Sequence, residues 1–144
     1  MAFQILRGED LDWSATNPLG VANTNLTGAV GFHGFTTRIW RLEPGQAIPR
    51  HRHRFQTELY VVLAGRGRIR IERTLLDIEP LSSVLVEPDA VRQVFNDTDE
   101  QVMWLIVGAP AERFAISDES HAAERARLYP DGVEALPPEL EAGI

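Results

Sequence analysis

The sequence predicts an all-β domain, an antiparallel sandwich or barrel of short strands. Between residues 35 and 109, β-branched and aromatic segments alternate with turn residues, and no helix of useful length fits among them. The chain has 144 residues, one domain's worth, and 44% of them are hydrophobic, enough to bury a core. No apolar run reaches the roughly 20 residues that span a bilayer.

Residues 1–34 read as an irregular arm. Asn17-Pro18 and Leu19-Gly20 are turn signals, and Gly28, Gly31 and Gly34 interrupt any period. Trp13, Leu19, Val21 and Phe32 give the arm apolar weight, so it packs on its own barrel or on a partner subunit. The barrel occupies 35–110. Strands are predicted at 35–42, 57–64, 68–72, 74–78, 84–86, 91–95 and 102–107. Pro44-Gly45 and Gly65-Arg66-Gly67 are the turns around the second of these. Arg68-Ile69-Arg70-Ile71-Glu72 alternates charge and isoleucine, as a half-buried strand does. After Pro110 the composition changes. Asp118 to Leu128 predicts a short helix capped by Ser117 or Asp118, and Tyr129-Pro130-Asp131-Gly132 ends it. Residues 133–144 read as an extended or disordered tail.

Composition removes several chemistries. There is no cysteine, hence no disulfide, thiolate zinc site, iron–sulfur cluster or cysteine nucleophile. All 14 basic residues are arginine, hence no Schiff-base lysine and no lysine-bearing phosphate loop. Net charge is −7, which argues against nucleic acid and anionic membranes as partners. The N-terminus lacks the apolar core of a signal peptide, so a cytoplasmic location is expected. Nine arginines fall between residues 38 and 73, while the stretch from Glu112 onward carries eight acids against three arginines. The arginines at 50, 52, 54, 68 and 70 alternate with inward positions and so face outward, as a solvated or interfacial surface.

The chemistry concentrates in residues 45–65, GQAIPRHRHRFQTELYVVLAG. His51 and His53 are two apart on extended chain, so their imidazoles share a face. A bend at 54–57 lets the carboxylate of Glu58 join them. Two imidazoles and a carboxylate form a facial group that leaves coordination positions open. With Gly45 and Gly65 at the flanking turns, a chance match at five fixed positions is on the order of 10⁻⁵ to 10⁻⁴. His33 and His121 show no such pattern and read as surface residues.

This stretch resembles the first motif of the cupin superfamily, with every signature position filled. The resemblance implies a double-stranded β-helix, or jelly-roll barrel, with an N-terminal arm and a short C-terminal helix. It implies one divalent metal ion per chain, Fe, Mn, Zn, Ni or Cu, held by His51, His53 and Glu58. In the family's second motif, matched by residues 82–96, Gln93 stands where a third histidine is expected and becomes the fourth candidate ligand. The resemblance also implies a homodimer.

Counting by twos from Glu58 and Gln93 gives an apolar, aromatic cavity. Tyr60 is the candidate proton donor, and Trp40, Val62, Val91, Phe95 and Trp104 are the candidate substrate-pocket residues. Arg38 or Arg41, but not both, can point inward as an anion anchor. The expected function is a mononuclear metal-dependent enzyme, dioxygenase-like or isomerase-like, acting on a small organic molecule. The alternative is a non-catalytic module that binds a metal or small molecule.

Overall fold

A computed structural model describes residues 2–112 and 122–141. The described residues form eight strands, and all but the first follow the predicted rhythm: β1 (Ala22–Asn25), β2 (Thr36–Leu42), β3 (Thr57–Ala64), β4 (Gly67–Ile71), β5 (Thr74–Ile78), β6 (Ser83–Val86), β7 (Arg92–Phe95) and β8 (Val102–Ala109). Among the described residues there are also three short α-helices, α1 (Leu26–Ala29), α2 (Ala122–Leu128) and α3 (Pro138–Glu141), and one turn of 3-10 helix at Gly8–Asp10.

The strands form two antiparallel sheets. The larger has the order β1-β2-β8-β3-β6 and the smaller β5-β4-β7. Sequential neighbours β4 and β5 form a hairpin. The pairing of β2 and β3 with the distant β8 needs the long crossovers of a jelly roll. Between the sheets lies a core built from Leu42, Tyr60, Val62, Ile69, Val94 and Trp104 with their neighbours. Alternation explains it. On β3 the buried residues are Glu58, Tyr60 and Val62, and on β8 Val102, Trp104, Ile106 and Gly108.

Two glycines fit the sheets together. Gly65 turns the chain from β3 to β4 at φ 79°, and a Cβ there would stand 2.6 Å from the Gln101 carbonyl. Gly67 leaves room for Trp104 and Val62, whose side-chain atoms would lie 2.5 Å from a Cβ.

The sequence under-reads both termini. The arm contains β1, which extends the larger sheet by pairing with β2, and Ser14 bridges to Asn23. It folds onto its own barrel, and Trp13 lies under Arg41, 4.3 Å from guanidinium to ring centroid. The tail is ordered where it meets the barrel. Glu139 of α3 pairs with Arg70, and the Ala135 carbonyl accepts from Gln93. Helix α2 matches the second half of the predicted helix; residues 118–121, His121 included, lie outside the described residues.

The arginines expected on the outer face are tied to other parts of the chain, most of them by ion pairs. Arg50 meets Asp131 at 2.6 Å, Arg54 meets Glu124 at 3.0 Å, and Arg68 meets Asp97 at 3.1 Å. Arg52 donates to the Arg127 carbonyl at 2.7 Å. The basic first half and the acidic end of the chain are therefore complementary surfaces of one fold.

Candidate metal centre

The larger sheet presents three rows of side chains to the interior. Register aligns Thr36, Gly108 and Glu58 in one row, Arg38, Ile106 and Tyr60 in the next, and Trp40, Trp104 and Val62 in the third. Residues 49–53 run past this face, tied to β7 by a bridge between His51 and Arg92. The result is an open cavity of about 600 Å³ that has His51, His53, Glu58 and Tyr60 among its lining. Trp40, Arg38 and Tyr129 form its walls, and Ser14, Asn17 and Asn23 of the arm form part of its rim.

His51, His53 and Glu58 each offer a ligand atom, and these lie within 4.8 Å of one another. His53 Nε2 is 3.2 Å and His51 Nε2 3.7 Å from Glu58 Oε1. The other ring nitrogens are anchored. His51 Nδ1 is 2.9 Å from the Pro49 carbonyl, and His53 Nδ1 is 3.0 Å from Glu112 Oε2. Both partners only accept, so each Nδ1 donates and a neutral ring turns the lone pair of Nε2 to the group. His53 Nε2 is buried with no hydrogen-bond partner. An orphaned imidazole nitrogen among two further donors is what an ion would satisfy, so the residues fit a divalent metal.

Glu112 was not visible as a site residue in the sequence. It follows β8 and the cis Ala109–Pro110 peptide. Besides His53 it accepts from the backbone N–H groups of Arg54 (3.0 Å), Phe55 (2.8 Å) and Gln56 (3.1 Å). One buried carboxylate thus shapes the bend between the histidines and Glu58 and orients His53. Burial works to raise its pKa, but the Phe55 and Arg54 amides and His53 outweigh it and hold it below the ordinary value.

Two groups crowd Glu58 from the barrel interior. The Tyr60 hydroxyl donates to Oε1 at 2.7 Å, and Arg92 Nη2 approaches the same oxygen at 3.3 Å. Arg92 Nε donates to the Tyr60 oxygen at 3.3 Å, and its Nη1 donates to the Pro88 and Ala90 carbonyls at 3.0 and 2.6 Å. Before an ion binds, burial acts to raise the Glu58 pKa, and the two imidazoles in their protonated form more than reverse this and hold it well below the usual carboxylate range. Burial and the Glu58 charge hold the Tyr60 phenol well above its ordinary value. For His53, burial acts to lower the pKa and the Glu58 and Glu112 carboxylates outweigh it.

Arg92, not Gln93, faces the site. Successive residues on a strand point to opposite faces. With Arg92 directed at Glu58, Gln93 falls on the outer face, beside Arg70, and donates to the Ile48 and Ala135 carbonyls at 3.0 and 2.9 Å. The expectation of a Gln93 ligand is corrected accordingly. Phe95 shares that outer face, under Arg68 at 5.8 Å from guanidinium to centroid, and Val91 is buried away from the cavity. Val62 and Trp104 point inward as expected but are fully buried in the core beneath the cavity, where Trp104 meets the Tyr60 ring edge-on. Of the expected pocket residues, only Trp40 lines the cavity. Of the two candidate anchors, Arg38 points inward.

Residues 38–108 match the family model of the cupin domain. No curated protein sequence matches the chain. Among solved structures, a sugar phosphate isomerase of the cupin superfamily from Silicibacter pomeroyi is 23% identical, with 76% of each chain covered and a TM-score of 0.67. A protein from Thermotoga maritima described as a predicted oxalate decarboxylase is 16% identical over 73% of this chain and 97% of its own, with a TM-score of 0.65. A cupin-2 domain protein from Rhodospirillum rubrum is 20% identical over 84% of both chains, also at 0.65. The motif spacing, the jelly-roll topology and the family match agree, and the chain belongs to the cupin family.

Proposed function

We propose that the protein is a metal-dependent enzyme that moves a proton on a small organic molecule held in the cavity. The observation that carries this is Tyr60. Its neutral hydroxyl stands 2.7 Å from the carboxylate of a preformed three-donor group, and both line one open cavity. The names of two structural neighbours, an isomerase and a predicted decarboxylase, are in keeping with such chemistry.

His51, His53 and Glu58 would hold the ion. Once bound, a divalent metal supplies a Lewis acid that polarises an oxygen of the substrate. The chain's own groups do the rest. Glu112 fixes the tautomer and direction of His53. Arg92 holds the Tyr60 oxygen in place and offsets the buried charge of Glu58. Tyr60 keeps its proton at neutral pH and donates it to Glu58 Oε1, so it can pass that proton to a substrate atom only by exchanging this hydrogen bond for one to the substrate. Trp40 and Tyr129 provide apolar walls, and the arm narrows the rim against water.

Metal analysis tests this directly. Protein purified without added metal, or reconstituted with Mn²⁺ or Fe²⁺, should carry about one ion per chain, and a His51→Ala/His53→Ala variant should carry none. No ion in the wild type after reconstitution sinks the proposal. A second reading is dioxygenase chemistry, favoured by the open positions that a facial two-histidine, one-carboxylate group leaves. Substrate-dependent oxygen uptake by the Fe²⁺ form would select it; turnover without oxygen uptake selects proton transfer.

A further inference from the structure

We propose that Arg38 anchors a carboxylate of the substrate, so that the cavity takes small carboxylic acids. The anchor stands on its own observations; the metal at the other end of the substrate rests on the function proposed above.

Arg38 lies on β2 and lines the same cavity as His51, His53 and Glu58. Its Nη1 donates to Asn23 Oδ1 at 2.8 Å. Asn23 is itself fixed, because its Nδ2 donates to the Ser14 and Val21 carbonyls at 3.3 and 3.2 Å. That leaves its oxygen as the acceptor for the guanidinium. The arm is thus folded so that one buried amide holds one edge of the Arg38 fork, and the remaining N–H groups are left for a ligand.

Among the described residues the fork has no ion-pair partner. No carboxylate of the described residues pairs with Arg38, whereas Arg50, Arg54, Arg66, Arg68, Arg70 and Arg92 each meet an acid. Arg41, on the opposite face of the same strand, stacks on Trp13. A chain with net charge −7 has acids to spare. Arg38 is exposed where it lines the open cavity, so the N–H groups that Asn23 does not hold meet solvent, which an anionic ligand can replace with charge-assisted hydrogen bonds. What burial it has lowers its pKa.

Charge and distance set the ligand. Around the site the carboxylates of Glu58 and Glu112 cancel the guanidiniums of Arg38 and Arg92, so a bound divalent ion leaves the pocket cationic and selects an anion. Two strand spacings, about 10 Å, separate the backbones of Arg38 and Tyr60, so a ligand of a few carbons reaches from the fork to the donor group. A single planar fork suits the two coplanar oxygens of a carboxylate. A phosphate monoester presents more oxygens than this one guanidinium serves.

Calorimetric titration with succinate, succinamide and glycerol 3-phosphate tests the assignment, with metal-free and Mn²⁺-loaded protein. Succinate should bind both forms, and at least tenfold more tightly than its uncharged amide. Arg38→Gln should weaken succinate at least tenfold, Arg38→Lys should restore part of the loss, and Arg41→Gln should leave it unchanged. Thermal melts check that each variant folds. Equal binding of acid and amide, no loss in Arg38→Gln, or no uptake of any probe overturns the proposal. Arg38-dependent preference for glycerol 3-phosphate overturns the carboxylate assignment. The His51→Ala/His53→Ala variant separates the two proposals: Arg38-dependent succinate binding without metal uptake leaves the anchor standing and removes the metal enzyme. Metal uptake with succinate binding indifferent to Arg38 does the reverse.

Discussion

At the scale of single residues, the site is organised around one oxygen. Glu58 Oε1 has two imidazoles, a phenol and a guanidinium within 3.7 Å. A carboxylate so buried stays ionised only because its neighbours offset the desolvation. The same charge acts on the phenols. Burial and Glu58 raise Tyr60 well above its ordinary pKa, and burial with Glu58 and Glu112 pushes Tyr129 up to about 12. The chain has only 2 tyrosines, so a spectrophotometric titration reads both at once. Metal-free folded protein should show almost no tyrosinate absorbance at pH 10.5, where an unperturbed phenol, with a pKa of about 10, is mostly ionised. Denaturant should release the full signal of two phenols. The linkage has a definite sign. A group with its pKa raised by folding contributes its stabilisation fully below the unfolded value, near 10, and loses it as pH climbs through the folded value. Stability should therefore fall steeply between about pH 10 and 12. A normal titration curve for either tyrosine in the folded protein would contradict the buried geometry of that ring.

At the scale of elements, the bend between the histidines and β3 depends on a residue from after β8. Glu112 gathers three backbone amides and one imidazole onto a carboxylate whose side chain is 4% exposed. Glu112→Gln keeps the shape but replaces one acceptor oxygen by an N–H₂ group, which opposes either the amides or the His53 donor. We expect metal affinity to fall about 10- to 100-fold, as when other partners of metal-bound histidines are removed. Stability should drop by roughly 1–3 kcal/mol, the cost of leaving buried donors unmet. Chelator competition and chemical denaturation measure the two; unchanged metal affinity would show that Glu112 does not position His53. Nothing in the sequence marks Glu112, because it lies 59 positions from His53 and is joined to it only by the fold. The strands were legible because alternation and turn residues are local signals. The first motif was legible because its spacing forces three donors onto one face. Strand β7 was not, for a physical reason. All four of its residues are buried, the inner face by the core and the outer by the tail, so hydrophobic alternation gives no sign of which side is which. An inward Gln93 carries Phe95 inward with it by parity and puts Arg92 on the outer face, the reverse of what the fold does. The short elements β1, α1 and α3 escaped because they hold their shape through contacts with the barrel more than through any period of their own.

At the scale of the whole molecule, the charge asymmetry of the sequence is spent inside the fold. Arginines on the barrel take acids from the C-terminal segment, and the arm covers its own cavity. The sequence leaves both the arm and the outward arginines open to a partner subunit; within this one chain they already meet the barrel and the C-terminal segment. Another surface is available. The face of the larger sheet turned away from Tyr60 carries Leu59, Val61, Leu85, Leu105 and Val107 in adjacent register positions. Leu85 is 63% exposed, and the others are half-buried. An aliphatic sheet face in a chain this acidic suits a partner that is also aliphatic there, and a two-fold axis brings the same face to itself. We expect a homodimer closed through this face, burying on the order of 800 Å² per protomer. Sedimentation across a range of concentrations should show it. A Leu59→Glu/Leu85→Glu variant should dissociate at least 100-fold more readily, because two carboxylates per protomer would be desolvated against their own copies. Its cavity lies on the other side of the sheet, so metal uptake should be unchanged. A wild-type chain that sediments as a monomer at high concentration, or a dimer indifferent to both substitutions, would rule this face out.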